Sequence, residues 1–317
     1  MARTATVAAT AVTDEGGGDA RPAVSRPRAW LMAARIPTLP AAIAPVVAGA
    51  GAAASQGPLR GSVLAATLAA ALLIQIGTNL ANDLYDFRRG ADRPGRMGPV
   101  RVTQAGLLTE RDVTRGMIAV FGAAVLVGLY LAVVGGWPIV AVGLASIASG
   151  ILYTGGPWPL GYHGLGDLFV FVFFGVVAVT GTFYLQTGAV TLGALLVSVP
   201  VGLLVTGILV VNNLRDIEQD RQAGKRTLAV RIGERATRIQ YAALVAGAFV
   251  MPLVLRLAGE AGGLWWLPWL SAPLAWRLVR RVLGGERGPA LNGVLKETGR
   301  LLLAFSALLA VGLAWWP

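Results

Sequence analysis

Two stretches of this chain go without a charged side chain for longer than a water-facing fold allows. Residues 116–166, 51 in a row, contain no Asp, Glu, Lys or Arg, and residues 168–214 add another 47. A helix on a soluble domain keeps a polar stripe along its solvent face, whereas a helix in lipid needs about 20 consecutive apolar residues. Only 14% of the 317 residues are charged, against about 25% in a soluble domain. Because the apolar segments recur along the whole chain, a soluble enzyme is excluded, and so is a soluble head on one anchor. There is no cysteine and one histidine, His163, which excludes disulfides, thiolate sites and a multi-histidine metal centre.

Gly/Pro breaks and charge clusters divide the chain into nine apolar segments, at 36–55, 62–82, 116–134, 138–154, 168–185, 192–213, 239–255, 264–276 and 301–316. When the connecting loops are assigned alternately to two sides, 25 of the 27 Lys and Arg fall with the N-terminal tail and the even loops, leaving Arg60 and Arg256 opposite. Basic loops stay in the cytoplasm. The fold expected is therefore all-α, a polytopic membrane bundle of nine transmembrane helices. Its N-terminus and even loops are cytoplasmic and its C-terminus external. Residues 1–28 read as a disordered cytoplasmic tail without the apolar core of a signal peptide, and 29–317 as one membrane-embedded domain. The net charge of +11 orients the protein in its membrane, so no nucleic-acid partner is expected. Arg outnumbers Lys 25 to 2, a bias that goes with a GC-rich bacterial genome and hence a bacterial inner membrane.

Two polar clusters close apolar segments on the cytoplasmic side. The first runs Asn79-Leu-Ala-Asn82-Asp83-Leu-Tyr-Asp86-Phe-Arg88-Arg89-Gly90-Ala-Asp92, and the second holds Asn212, Arg215, Asp216, Glu218, Asp220, Lys225 and Arg226. Residues three and four apart share a helix face, which aligns Asn82 with Asp86 and Asn212 with Asp216 and Asp220. Carboxylates at a helix C-terminus are unfavourable, and bringing the two clusters together adds repulsion that bound cations would relieve. Oxygen donors without His or Cys select a hard ion, Mg²⁺ first, which takes its remaining ligands from phosphate and water. The neighbouring Arg88, Arg89, Arg215, Lys225 and Arg226 suit phosphate oxygens. Together these describe a diphosphate site at a membrane face, and the apolar bundle beside it implies that the phosphate carries a lipid chain. A transporter or channel would need ionisable groups in mid-membrane, and the segment interiors have none.

The stretches NDLYDFRRGAD and NNLRDIEQD, the latter followed by GKRTLAVRIG, resemble the two aspartate-rich motifs of the intramembrane aromatic prenyltransferase (UbiA) superfamily. ARIPTLPAAIAPVVAG, GPVRVTQAGLL and YTGGPWPLGYHGLGDLFVFVFFG resemble its branch acting on 1,4-dihydroxy-2-naphthoate. The resemblance covers roughly residues 35–233. It implies a nine-helix fold and Mg²⁺, as two ions, holding a polyprenyl diphosphate between the motifs. It also implies transfer of the prenyl group to an aromatic acid with loss of CO₂. The other acceptor weighed is one such as 4-hydroxybenzoate, which would keep its carboxylate.

Matching positions imply Asn82, Asp86, Asp216 and Asp220 as metal ligands, with Asp83 and Asp92 as further or alternative ones. By the same match Asp86, Asp216 and Lys225 are expected at the catalytic centre, and Lys225, Arg215, Arg88, Arg226 and Arg35 are expected to grip the diphosphate. Arg101, Gln104, Tyr153, Asp92 and Asp167 are expected to contact the acceptor or to close the loops around it.

Overall fold

A computed structural model describes residues 24–91 and 97–315, and among them every regular element is helical. The helices are α1 Arg26–Ala34, α2 Pro40–Ala54, α3 Gly61–Arg88, α4 Glu110–Gly135, α5 Trp137–Leu152, α6 Gly166–Val170, α7 Ala178–Thr187, α8 Leu192–Gln222, α9 Leu228–Leu257, α10 Ala272–Leu283 and α11 Ala290–Ala314. A π-helical stretch, Phe171–Val177, joins α6 to α7 into one rod. The first seven apolar segments fall on helix almost throughout, the eighth, 264–276, is turn and 3-10 helix before Ala272, and the ninth is helical to Ala314. Among the described residues six helices are long and apolar enough to cross a membrane, and α1 with α2, bent by 49° at their break, makes a seventh. α5 has 16 residues and α10 only 12, so a count of nine goes beyond what length and composition establish.

Packing is that of a protein solvated by lipid. The innermost helix is α8, whose Val201, Leu204 and Val211 sit in the main core with Ala44 and Ala48 of α2, Tyr241 of α9 and Phe305 of α11. α4 instead turns Leu126, Leu129 and Val133 outward, as lipid allows. Small residues bring backbones together: a Cβ on Gly51 of α2 would lie 2.3 Å from Ala310 Cα of α11.

The loops meet in two sets, one at each end of the bundle. At one end the Arg60 backbone N–H donates to Gln186 Oε1 (2.8 Å), and the Tyr130 hydroxyl donates to Ser62 (3.1 Å). At the other, Arg26 pairs with Asp112 (3.0 Å), Arg88 with Glu110 (2.8 Å) and Lys225 with Asp86 (3.1 Å), while Asn292 donates to the Met97 carbonyl (3.0 Å). The second set joins the even loops and the chain ahead of α2, the grouping that alternation of basic charge requires. α10, with its preceding turn, packs along part of α9: the Trp269 indole N–H donates to the Phe249 carbonyl, and the Val282 carbonyl accepts from Arg238 at the basic end.

α3 and α8 overrun their apolar segments by two turns, to Arg88 and Gln222. Asn79 to Arg88 of the first cluster and Asn212 to Asp220 of the second are therefore carried on rigid helix, which fixes the direction of these side chains.

Candidate active site

At the basic end, the last turns of α3 and α8 face one cavity of about 720 Å³, lined among others by Asn82, Asp86, Asn212, Asp216 and Asp220. Two clusters 130 residues apart thus share one space. Arg35, Arg101, Tyr153, Arg215 and Lys225 line it too.

Asp86 is the hub. One carboxylate oxygen accepts from Arg101 (2.8 Å); the other accepts from the Tyr162 hydroxyl (2.8 Å) and Lys225 Nζ (3.1 Å). Four pieces of chain meet at this one side chain: α3, the 97–109 loop, the 153–165 loop and the turn after α8. Gly224, at φ 72°, makes that turn; only a residue without Cβ takes this conformation at little cost, and it sends Lys225 back over the cavity. Lys225 Nζ also stands 4.7 Å from the centre of the Tyr162 ring, within cation–π range. Asp216 is clasped by its neighbour: Arg215 Nε and Nη2 donate to its two oxygens at 2.7 and 2.6 Å, and the same guanidinium donates to Asn212 (2.8 Å) and Asn292 (2.9 Å). These pairs relieve the carboxylate repulsion expected of the assembled clusters.

A second, apolar chamber of about 330 Å³ adjoins the first and shares Ala41, Gln75, Thr78, Tyr153, Val170 and Phe174 with it. It continues along the bundle to Leu131, Ile139 and Leu185. Charged groups at one end and an aliphatic channel leading away suit an amphiphile with an anionic head.

The structure separates residues that the motifs group together. Asp83 does not line the cavity: it is buried and accepts from the Val102 N–H (3.2 Å), the Thr103 N–H (3.0 Å) and the Thr103 hydroxyl (2.5 Å). Arg88, two residues past Asp86 and so on the far side of the helix, pairs with Glu110 away from the cavity. Arg226 is exposed beyond the Gly224 turn, and Gln104 lies outside the cavity wall. Asp167 is held by Gln240 (2.6 Å) rather than by the cavity. Asp92 lies outside the described residues.

Tyr162 carries no signal in the motifs, and the contacts that Asn79 and Arg35 make carry none either. Tyr162 is in a glycine-rich loop without periodicity. Asn79 donates to the Ala34 carbonyl and to Thr38 Oγ1, both at 3.0 Å, tying α3 to the break between α1 and α2. At that break Arg35 has φ 52°, the one positive φ at a non-glycine residue among those described. Such strain persists where surrounding contacts over-determine it, and it clusters at functional sites. The IPTLP stretch was the available clue, since two prolines so close cannot continue a helix.

Among the described residues no three Asp, Glu, His or Cys side chains converge into a metal cage. Mg²⁺ does not require one, because it commonly takes one or two carboxylates and completes its octahedron with water and phosphate. The all-oxygen set of Asn82, Asp86, Asp216 and Asp220 around a roomy cavity fits such an ion.

Comparison with known proteins bears on what this arrangement serves. The model of the UbiA prenyltransferase family matches residues 42–290. A 1,4-dihydroxy-2-naphthoate octaprenyltransferase of Mycobacterium tuberculosis is 43% identical over 291 residues, 90% of this chain and 97% of the relative. The Escherichia coli protein of the same description is 38% identical over 92% of this chain and 98% of its own length. Among solved structures, a UbiA homologue from Aeropyrum pernix superposes with a TM-score of 0.66 at 19% identity, over 86% of this chain and 96% of that one. One from Archaeoglobus fulgidus, bound to GPP and Mg²⁺, gives 0.64 at 15% identity over 90% of this chain and 99% of that one.

Proposed function

The chain belongs to the UbiA prenyltransferase family, and from that premise we propose that it transfers a polyprenyl group from polyprenyl diphosphate to 1,4-dihydroxy-2-naphthoate, releasing CO₂ and diphosphate to give the prenylated naphthalenediol, the reduced (quinol) form of demethylmenaquinone. The observation that carries this is one cavity lined from both motifs, with Lys225 bonded to Asp86 across 139 residues and an apolar chamber leading away from the same point. The relatives named for this reaction match nearly end to end.

In the reaction the bond between the allylic carbon and the diphosphate oxygen breaks, leaving an allylic cation. The electron-rich ring carbon bearing the carboxylate then forms the new C–C bond. The electrons of the departing carboxylate restore the aromatic ring. Asn82, Asp86, Asp216 and Asp220 are the residues that would hold Mg²⁺, as two ions. Bound there, the metal supplies Lewis-acid neutralisation of charge on the leaving diphosphate. Lys225 and Arg101, already in the cavity on Asp86, move onto phosphate oxygens, where charge-assisted bonds strengthen as the leaving group gains charge. Arg215 holds Asp216 and Asn212 in register. The apolar chamber takes the first isoprene units and keeps water from the cation, while Tyr153 stands where the two spaces meet.

The same reading sets the protein in a bacterial inner membrane with nine crossings, the N-terminus and site loops cytoplasmic and the C-terminus external. The grouping of the even loops at the site end and the 25-to-2 partition of basic residues support it.

The test is incubation of the purified protein with Mg²⁺, a polyprenyl diphosphate and competing aromatic acids. The product should have the mass of the decarboxylated prenyl naphthalenediol, with one CO₂ released per turnover. Chelation by EDTA should abolish turnover and Mg²⁺ restore it. A product that keeps its carboxylate would reject the naphthoate acceptor, and full activity in chelator would reject the metal.

A further inference from the structure

Six basic residues line the main cavity: Arg28, Arg35, Arg101, Arg215, Lys225 and Lys296. Arg101, Arg215 and Lys225 are paired with the motif carboxylates. Arg28, on α1, and Lys296, near the start of α11, are different. Both are exposed, and among the described residues neither side chain takes part in a hydrogen bond or ion pair. No acidic residue of their own helices is turned to them: Glu297, next to Lys296, is bonded to Arg277 (2.8 Å).

These two cations flank an opening. Leu31 and Ile36 line the cavity and are yet 59% and 50% exposed, so the cavity reaches the surface beside them. Leu295 lines it from α11. Gly299, one turn further on, packs against Pro37 and Pro40, which closes the gap between α11 and the α1–α2 break on the membrane side. The mouth is thus apolar in its walls and carries on each of two helices a cation whose side chain has no partner among the described residues. The diphosphate has its own cations deeper in, around Asp86.

We propose that Arg28 and Lys296 form a recruiting rim for the aromatic acid. On the reading above, that acid is a flat apolar ring with one carboxylate. The carboxylate is drawn to the rim, and the ring slides between Leu31, Ile36 and Leu295 toward the allylic carbon. The rim attracts the acid at the entrance and does not hold it during reaction. A carboxylate still clasped by a cation would be slower to leave as CO₂, because its ionised form would be stabilised. Arg28 and Lys296 are therefore positioning residues whose effect is on capture.

Capture by charge has a kinetic signature. Focused charge raises association rates by factors of roughly 10 to 1,000 and fades with ionic strength, since screening shortens to about 3 Å at 1 M salt. The test uses the full chain in nanodiscs of uncharged lipid and the variants Arg28→Glu, Lys296→Glu and Lys296→Arg. The acid is varied at saturating polyprenyl diphosphate, then the reverse. At low salt each Glu variant should lower kcat/KM for the acid about tenfold, with kcat and the diphosphate KM unchanged. The deficit should shrink in high salt, and Lys296→Arg should behave as wild type. Both residues are exposed, so folding should survive the changes. If the diphosphate KM moves instead, the rim serves the other substrate and the proposal is wrong; if neither KM moves, it is wrong outright. Wild-type turnover in the same discs reports separately on the function: no prenylated product there would overturn that reading and this one with it.

Discussion

From Asp83 to Asp86 the side chain turns by about 60° around α3, and its surroundings change completely. Asp83 meets backbone: the Val102 and Thr103 N–H groups and the Thr103 hydroxyl converge on it, fixing the turn from which Arg101 reaches the cavity. Asp86 meets cations and a phenol that line the cavity. Asp83→Ala would leave three buried donors without an acceptor, a loss of about 3 kcal/mol, visible as a lowered melting temperature. Its activity should fall only as far as Arg101 drifts. Asp86→Ala should lose at least about a hundredfold in turnover, the scale of removing a group that organises transition-state charge, while still inserting in the membrane. Asp220→Ala should do the same from the other motif. Melting and turnover measured side by side separate the two roles; a wild-type melting temperature in Asp83→Ala would reject the tether. Four-residue spacing made Asp86 and Asp220 legible from the sequence. Asp83 was grouped with them because neighbouring helix faces cannot be assigned until the partner loop is placed.

Helices carry the next level of constraint. The charge-free runs and the basic clusters between them foretell where helices lie and which ends meet. Left unread are the contacts that require two backbones to approach, such as Tyr162 on Asp86 or Asn79 on the α1–α2 break, since no periodicity encodes them. The π-helical Phe171–Val177 stretch is another case. It places Phe174 in the wall shared by both cavities and Gly175 against α8, where a Cβ would lie 2.5 Å from Gly202 Cα and 3.1 Å from Gly202 N. Backbone cannot give way as a side-chain tip can. Gly175→Ala should therefore push the rod from α8 and cost about 1–3 kcal/mol, with slower turnover because the cavity wall moves. Gly128 of α4 is the control: it has nothing within 4 Å of its Cβ position, so Gly128→Ala should melt at or slightly above the wild-type temperature, as alanine favours helix. Equal melting temperatures for the two variants would mean that the α8 contact is looser than the geometry states.

For the molecule as a whole, the site lies at the end where basic residues of the described even loops gather, which on the proposed topology ties catalysis to membrane sidedness. A diphosphate must reach the end that holds Asp86 and Lys225, so the side this end faces decides which pool of substrate the protein draws on. Parity decides where the chain finishes: an odd number of crossings separates the termini, and losing α5 or α10 as a crossing would bring them together. A reporter fused after Pro317 should accordingly read as external. Because the chain has no cysteine, single substitutions give an independent map. Gln56→Cys and Gly259→Cys, in loops after the first and seventh apolar segments, should react in intact cells with a membrane-impermeant thiol reagent. Arg111→Cys and Gly285→Cys should react only after permeabilisation. The Gly285 and Gly259 positions bracket α10, the shortest of the proposed crossings, so this pair tests it directly. Labelling of both from the same side would reduce the crossings to eight, return the C-terminus to the cytoplasm and contradict the bond between Arg215 and Asn292, at the start of α11, that puts this end of the helix at the site.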